Sequence, residues 1–114
     1  KAHALNGIGK VKFSNLCTEI MQVSQVSDIE IYGKEDTIRY GISCNLGSLN
    51  IATVMDNKRI KETVKTAMRA LTVVSDVTNI EMVPSIAKAN RELHSVGLGA
   101  MNLHGYLAKS FIMY

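Results

Sequence analysis

Hydrophobic positions between residues 57 and 81 recur every three or four residues, which is the repeat of an amphipathic helix. The stripe consists of Ile60, Val64, Ala67, Met68, Leu71, Val74 and Thr78. Asp56 or Asn57 can cap the start of this helix. Val73 and Val77 widen the apolar face near its C-terminal end, so we expect that end to be buried on two sides.

A second helical spacing follows Pro84, which is well placed in the first turn of a helix, and predicts a helix over residues 84–94. Apolar residues then alternate with Gly97 and Gly99. This alternation predicts a short buried strand followed by a helix within residues 95–110. A helix kinked at the two glycines is the alternative.

The first half of the chain has a weaker pattern. Residues 1–26 begin irregularly and become extended, which favours a strand or finger loop, although helical spacing over residues 16–26 is the alternative. A polar, glycine-containing excursion follows over residues 24–41. Small residues predict a strand over 42–55, in which Gly47 indicates a bulge or the close approach of another backbone. This order of strands and helices is that of an α/β protein.

Composition places the chain among ordinary globular proteins. Of its 114 residues, 46% are hydrophobic and 20% charged, and no apolar stretch is long enough to span a bilayer. The length allows one domain at most. The net charge is +3, and the basic residues alternate with apolar ones. We therefore expect neither a membrane protein nor a protein that binds nucleic acid.

The most distinctive polar pattern places Asn15, Cys17 and Glu19 at every second position. In an extended backbone these side chains share one face, while Leu16 and Ile20 point to the other. An amide, a thiol and a carboxylate in front of an apolar wall are typical of a segment that carries a catalytic site. The alternative is that the cysteines are small buried hydrophobic residues.

Cys44 is the other of the two cysteines. Neither a Cys-x-x-Cys unit nor a nearby histidine cluster accompanies the pair, so a closed zinc site is not expected. No secretory hydrophobic segment precedes them, which indicates a reducing cytoplasm and argues against a permanent disulfide. The histidines are expected to be structural; they are His3, His94 and His104.

Three motifs follow one another along the chain: residues 15–20 (NLCTEI), 42–50 (ISCNLGSLN) and 97–109 (GLGAMNLHGYLAK). Together they resemble the large, catalytic subunit of class I ribonucleotide reductase, and its class Ib branch most closely. The resemblance covers nearly the whole chain, although the family's subunit is several times longer. It implies that the chain is an internal fragment of a ten-stranded α/β barrel, with a finger loop threaded through the middle of the barrel.

The resemblance also implies a role for each residue of the polar pattern. Cys17 would become a thiyl radical and abstract the 3′ hydrogen of a ribonucleoside diphosphate. Glu19 would take the 3′-hydroxyl proton, and Asn15 would hydrogen-bond the sugar hydroxyls. Cys44 would be one of two redox-active cysteines, its partner lying earlier in the subunit, so a disulfide between Cys17 and Cys44 is not expected.

The implied partners lie outside the chain. They are the remainder of the large subunit, a small subunit that generates the radical at a dimanganese or diiron centre, and a thioredoxin-like or glutaredoxin-like reductant. No metal or cofactor is expected to bind the chain itself, and the allosteric nucleotide site is expected to lie elsewhere in the subunit.

Two functions are compatible with the sequence. The chain is a piece of the reductase, inactive alone, or a non-catalytic α/β interaction module, truncated or split from a longer gene, that packs against a partner chain. Both termini, Lys1 and Tyr114, look like cuts. Large apolar patches on the helices and on the strand near Gly97 would indicate a piece of a larger fold or an obligate partner, whereas a closed core would indicate an independent domain.

Overall fold

The computed structural model describes residues 9–12 and 14–114. Most of the irregular start predicted for residues 1–10 therefore lies outside the described residues. The elements in chain order are β1 (Asn45–Asn50), α1 (Ile51–Asp56), α2 (Ile60–Val77), α3 (Pro84–Leu93), β2 (Val96–Met101) and α4 (Leu103–Lys109). This alternation of strands and helices confirms the predicted α/β class.

The two strands pair in parallel, with Asn45 opposite Val96 and Asn50 opposite Met101. Helices α1, α2 and α3 make the connection that a parallel pair requires. The Nδ2 of Asn102, directly after β2, donates to the Oδ1 of Asn50 at 3.2 Å and joins the carboxyl ends of the strands. The alternative of a glycine-kinked helix in this region is wrong, since both glycines lie in β2.

Strand β1 is shorter than the predicted strand over 42–55. Its last residue, Asn50, is also the N-cap of α1, and its Oδ1 accepts from the Thr53 amide at 3.4 Å. The prediction of a strand after Asn50 is wrong because this cap starts a helix there. A Cβ added to Gly47 would lie 3.3 Å from Leu71 Cδ2, so the close neighbour of Gly47 is a side chain of α2.

Helix α2 is shorter at both ends than the predicted range 57–81. Asp56 and Asn57 end α1 and do not cap α2. The N-cap of α2 is Arg59, whose side chain makes no capping hydrogen bond to the helix backbone. The predicted stripe exists, but within this helix only Leu71 and Ser75 are buried. We expected its C-terminal end to be buried on two sides, but only the side of Ser75 is buried, against Asn90 of α3, whereas Val73 and Val77 are exposed.

The segment before the strands has no helix between residues 14 and 26, so the helical alternative is wrong there. Ile20 and Val23 are buried, and the Gln25 amide donates to the Tyr40 carbonyl at 2.8 Å. The excursion that follows is held by an antiparallel bridge between Asp28 and Thr37.

The buried core is small for the amount of apolar surface. Among the described residues the buried hydrophobic side chains are Ile20, Val23, Leu71 and Ala89. Val77 at the end of α2 is 73% exposed and Phe111 after α4 is 97% exposed. The radius of gyration is 18.3 Å, whereas a compact domain of this length has about 13 Å. The chain is therefore a piece of a larger fold or needs an obligate partner.

No described helix combines the length and the apolar composition that a membrane span requires.

Candidate functional site

The segment with Asn15, Cys17 and Glu19 forms a tight turn. The Thr18 amide donates to the Asn15 carbonyl at 3.1 Å, and Thr18 has a φ of +66°. The predicted extended backbone is therefore wrong here, and so is the apolar wall, because Leu16 at the tip is 99% exposed. A β-branched residue at positive φ is strained, and such strain is frequent at functional sites.

The Asn15 side chain connects this turn to the start of β1. Its Oδ1 accepts from the Ile20 amide at 2.9 Å, which closes the far side of the turn. Its Nδ2 donates to the Cys44 Sγ at 3.2 Å. Asparagine suits the first position of such a turn because its side chain can bond nearby backbone groups. One amide therefore fixes both the turn and its distance from Cys44.

The Cys44 thiol lies between polar groups. Its Sγ is 4.0 Å from the Glu19 Oε1, and the residue is exposed to solvent. Partial burial raises the pKa of the Cys44 thiol; the Glu19 carboxylate and, to a smaller extent, Cys17 raise it further, while the hydrogen bond from Asn15 opposes them. The thiol form of Cys44 is thus favoured at neutral pH.

Cys17 and Glu19 border a cleft of about 560 Å³ over the two strands. Its floor is made of residues 46–48 of β1 and 96–99 of β2. The volume lies within the usual range of ligand pockets. Gly97 lets the turn approach, because a Cβ added there would lie 2.6 Å from Leu46 Cδ2 and 3.4 Å from Glu19 Cγ.

The structure therefore brings the predicted residues together by a turn, which the sequence pattern did not predict. Asn15 and Glu19 contact or approach Cys44, and Cys17 lines the same cleft as Glu19. Both cysteines are free thiols. The roles predicted for them remain predictions.

Asn90 is a residue whose importance the sequence reasoning missed. It lies on α3, is 4% exposed, and forms a buried polar cluster with Ser43 and Ser75. A polar residue at an apolar position of the α3 repeat was the signal that could have found it, since buried amides need partners.

Metal binding has no candidate in residues 9–12 and 14–114, where no three His, Cys, Asp or Glu side chains form a group that could hold an ion. His94 lies 3.4 Å from the Asp76 carboxylate at the surface, and His104 is exposed. His3 lies outside the described residues.

Comparisons with known proteins give the family. Residues 1–114 match the family described as "Ribonucleotide reductase, barrel domain". The ribonucleoside-diphosphate reductase subunit alpha of Bacillus subtilis (strain 168) is 57% identical over 114 residues, which are 100% of this chain and 16% of that protein. The subunit alpha of Mycoplasma pneumoniae is 48% identical over 106 residues, 92% of this chain and 15% of that protein.

A more distant relative has the same name. The ribonucleoside-diphosphate reductase subunit alpha of Chlamydia pneumoniae is 33% identical over 112 residues, which are 94% of this chain and 10% of that protein. The chain thus spans 16% or less of the length of these relatives. The family match confirms the predicted assignment to an α/β barrel that these residues form only in part. The chain belongs to the ribonucleotide reductase family, as part of the barrel domain of the large subunit.

Proposed function

We propose that this segment carries the radical-bearing and reducing thiols of a ribonucleotide reductase that acts on ribonucleoside diphosphates. The observation that carries the proposal is the meeting of Asn15, Glu19 and Cys44 beside the cleft that Cys17 borders. A radical abstractor and its base must reach adjacent atoms of one sugar ring, which requires such close placement. The names of the relatives support the same substrate class.

In the proposed reaction Cys17, as a thiyl radical, takes the 3′ hydrogen of the ribose, so that an S–H bond forms and a carbon radical remains on the sugar. Glu19 accepts the proton of the 3′-hydroxyl. Asn15 holds the sugar hydroxyls while its other contacts keep the turn in place. The exposure of Cys17 at the tip of the turn suits a group that must touch substrate.

Cys44 supplies reducing equivalents in this proposal. The 2′-hydroxyl leaves as water, and Cys44 with a second cysteine, earlier in the subunit, gives up two hydrogen atoms, one to that water and one to the 2′ carbon, and ends as a disulfide. Cys17 then returns its hydrogen atom to the 3′ carbon and is again a thiyl radical, and Glu19 returns its proton to the 3′ oxygen. A raised thiol pKa keeps Cys44 protonated, which suits a hydrogen donor. A thioredoxin-like or glutaredoxin-like protein would reduce the disulfide by thiol exchange.

The finer assignment is to class Ib, in the cytoplasm, with a small subunit whose dimanganese or diiron centre supplies the radical. The motif residues 15–20 and 42–50 support this branch by resemblance. Allosteric nucleotides would bind elsewhere in the large subunit. The small core supports dependence on the remainder of that subunit, so residues 1–114 alone should not reduce nucleotides even with the small subunit.

The test is the Cys17→Ser substitution in the full-length subunit. Turnover should fall to background because a hydroxyl cannot replace the thiyl radical, while binding of the nucleoside diphosphate stays close to wild type. Ser110→Ala, outside the site, serves as control and should keep full turnover. Turnover by the Cys17→Ser variant would remove Cys17 from its proposed role.

The non-catalytic interaction module is the competing function. The exposed apolar residues of α2 suit either function, since both require a covering partner. The two functions differ in their dependence on Cys17: an interaction module would keep its binding to a partner chain and the subunit's turnover when Cys17 is replaced.

A further inference from the structure

The chain on either side of Cys44 is held by one buried side chain. The Oδ1 of Asn90 accepts from the Ser43 Oγ at 2.9 Å and from the Asn45 Nδ2 at 2.8 Å. Ser43 and Asn45 are the two neighbours of Cys44 in the sequence. Bonds on both sides of a residue fix its backbone, and thereby the direction of its side chain.

Asn90 is itself anchored to α2. Its Nδ2 donates to the Ser75 carbonyl at 2.7 Å, and its Oδ1 also accepts from the Ser75 Oγ at 3.0 Å. Ser75 and Asn90 are both buried. A buried amide with its donor and acceptor satisfied is costly to move, because any displacement leaves polar groups without partners.

The turn that carries Glu19 is tied to the same cluster. The Ser43 amide donates to the Oε1 of Gln22 at 3.3 Å, and Gln22, two residues after Ile20, is buried. Residues 43–45 therefore lie between the segment that follows the turn and α3, with Cys44 Sγ directed toward Asn15.

We propose that Asn90 is a positioning residue, which holds the Cys44 thiol at its contacts with Asn15 and Glu19. Asn90 does not touch the cleft and acts through Ser43 and Asn45. The inference rests on the proposed redox role of Cys44. Beyond that role, we infer that a buried amide on α3 fixes the position of the Cys44 thiol through the two residues that flank it.

The first experiment measures the rate at which iodoacetamide alkylates Cys44 in the full-length subunit, by mass spectrometry of the peptide that contains it. In Asn90→Leu, which keeps the size and removes the hydrogen bonds, the rate should rise severalfold. The released thiol loses the partial burial and the proximity to Glu19 that disfavour its thiolate.

The matched control is Ser75→Ala. This variant removes one hydrogen bond to the same amide but leaves the bond to the Ser75 carbonyl and both bonds to the Cys44 segment, so the Cys44 rate should rise much less than in Asn90→Leu. Ser43→Ala and Asn45→Ala each remove one of the two bonds between Asn90 and the Cys44 segment, and they replace Asn90→Leu if that variant does not fold. Both should raise the alkylation rate of Cys44. An unchanged rate in these variants, or an equal rise in Ser75→Ala, would overturn the proposal.

The second experiment measures turnover of the same variants with a ribonucleoside diphosphate. A displacement of about 1 Å can cost about 100-fold in rate, so kcat of Asn90→Leu should fall by about that factor while KM changes little. Asn90→Asp should recover activity as the pH falls, since a protonated carboxyl accepts and donates like the amide. Equal losses in Ser75→Ala, or no recovery in Asn90→Asp, would contradict a positioning role.

The two proposals can fail separately. If Cys44→Ser keeps turnover, the redox role of Cys44 is wrong, and the alkylation rates still decide whether Asn90 positions the thiol.

Discussion

The side-chain amides of Asn15 and Asn90 find their partners within this chain, whereas the apolar face of α2 does not. Asn15 and Asn90 each bond groups on two separate segments. Val73 and Val77 remain largely exposed. Hydrogen bonds are short and directional, so a few residues complete them, while burial of apolar surface needs neighbours on every side. The segment thus carries the geometry of its site, and we infer that other parts of the subunit shield it.

After Cys17→Ser, the largest effect is expected from Glu19→Gln in the full-length subunit. General-base catalysis contributes about 100- to 10,000-fold, so kcat should fall by a factor in that range while nucleotide binding is retained. Exposed Glu81 offers a matched control, and Glu81→Gln should keep wild-type turnover. Turnover of Glu19→Gln close to wild type would separate the polar site from catalysis.

Asn15→Asp separates the two bonds that Asn15 makes. The carboxylate can still accept from the Ile20 amide and keep the turn, but it cannot donate to Cys44. It also adds negative charge beside the thiol, which should raise the Cys44 pKa further. We expect slower alkylation of Cys44 at neutral pH. Turnover should fall by about tenfold or more, because the Cys44 thiol loses the hydrogen bond that positions it. Faster alkylation would contradict this picture of the site.

Gly97→Ala tests the close approach of the Leu46 side chain, on β1, to Gly97 on β2. The added methyl group would meet Leu46 Cδ2, and overpacking of this kind costs about 1–3 kcal/mol in the free energy of unfolding, measured by chemical denaturation. Leu46→Ala in the same chain removes the clash. The double variant should therefore be destabilised by less than the sum of the single variants, and simple additivity would show that the two residues do not meet.

Val77→Ser tests whether the exposed apolar face of α2 is covered in the full-length subunit. If the rest of the subunit covers this face of α2, the substitution should lower the free energy of unfolding of the full-length subunit by about 1–2 kcal/mol. Lys65→Ser on the polar side of the helix should change it by less than about 0.5 kcal/mol. If Val77→Ser and Lys65→Ser both change the free energy of unfolding by similarly small amounts, the apolar face of α2 is exposed in the intact subunit as well.

The smallest effect concerns pH. Because the pKa of Cys44 is raised in the folded state, that state retains its proton at pH values where the unfolded chain loses it. The resulting stabilisation is complete below the ordinary thiol pKa and is lost as the pH rises through the raised value. The difference in unfolding free energy between wild type and Cys44→Ser, measured against pH, should show this loss; a difference independent of pH would contradict it.

The sequence predicted the α/β class and the set of polar residues because both depend on local patterns. Periodicity located α2 and α3, and glycine alternation located β2. Helix α1 was missed as a whole because Asn50 is both the last residue of β1 and the N-cap of α1, and the sequence alone does not show where the strand pairing ends.

The residues predicted for the site lie near one another in the structure, but in a geometry that the spacing did not predict; their roles stay predictions. Spacing placed Asn15, Cys17 and Glu19 on one face of an extended strand, but a turn brings the polar groups to Cys44. Asn90 was missed because its partners lie on distant segments that the sequence does not connect; its polar side chain at an apolar position of the α3 repeat was the one signal.

The central claim is that Cys17 carries the radical and Cys44 supplies reducing equivalents. The most direct test is to map the disulfides that form during turnover without an external reductant. The full-length subunit, its radical-generating partner and a ribonucleoside diphosphate are incubated, quenched with an alkylating agent and analysed by peptide mass spectrometry. We predict that Cys44 is found in a disulfide with a cysteine outside this segment, in proportion to the deoxynucleotide formed, and that Cys17 is alkylated as a free thiol. Product formation with Cys44 still free, or with Cys44 bonded to Cys17, would contradict the roles proposed for the two cysteines.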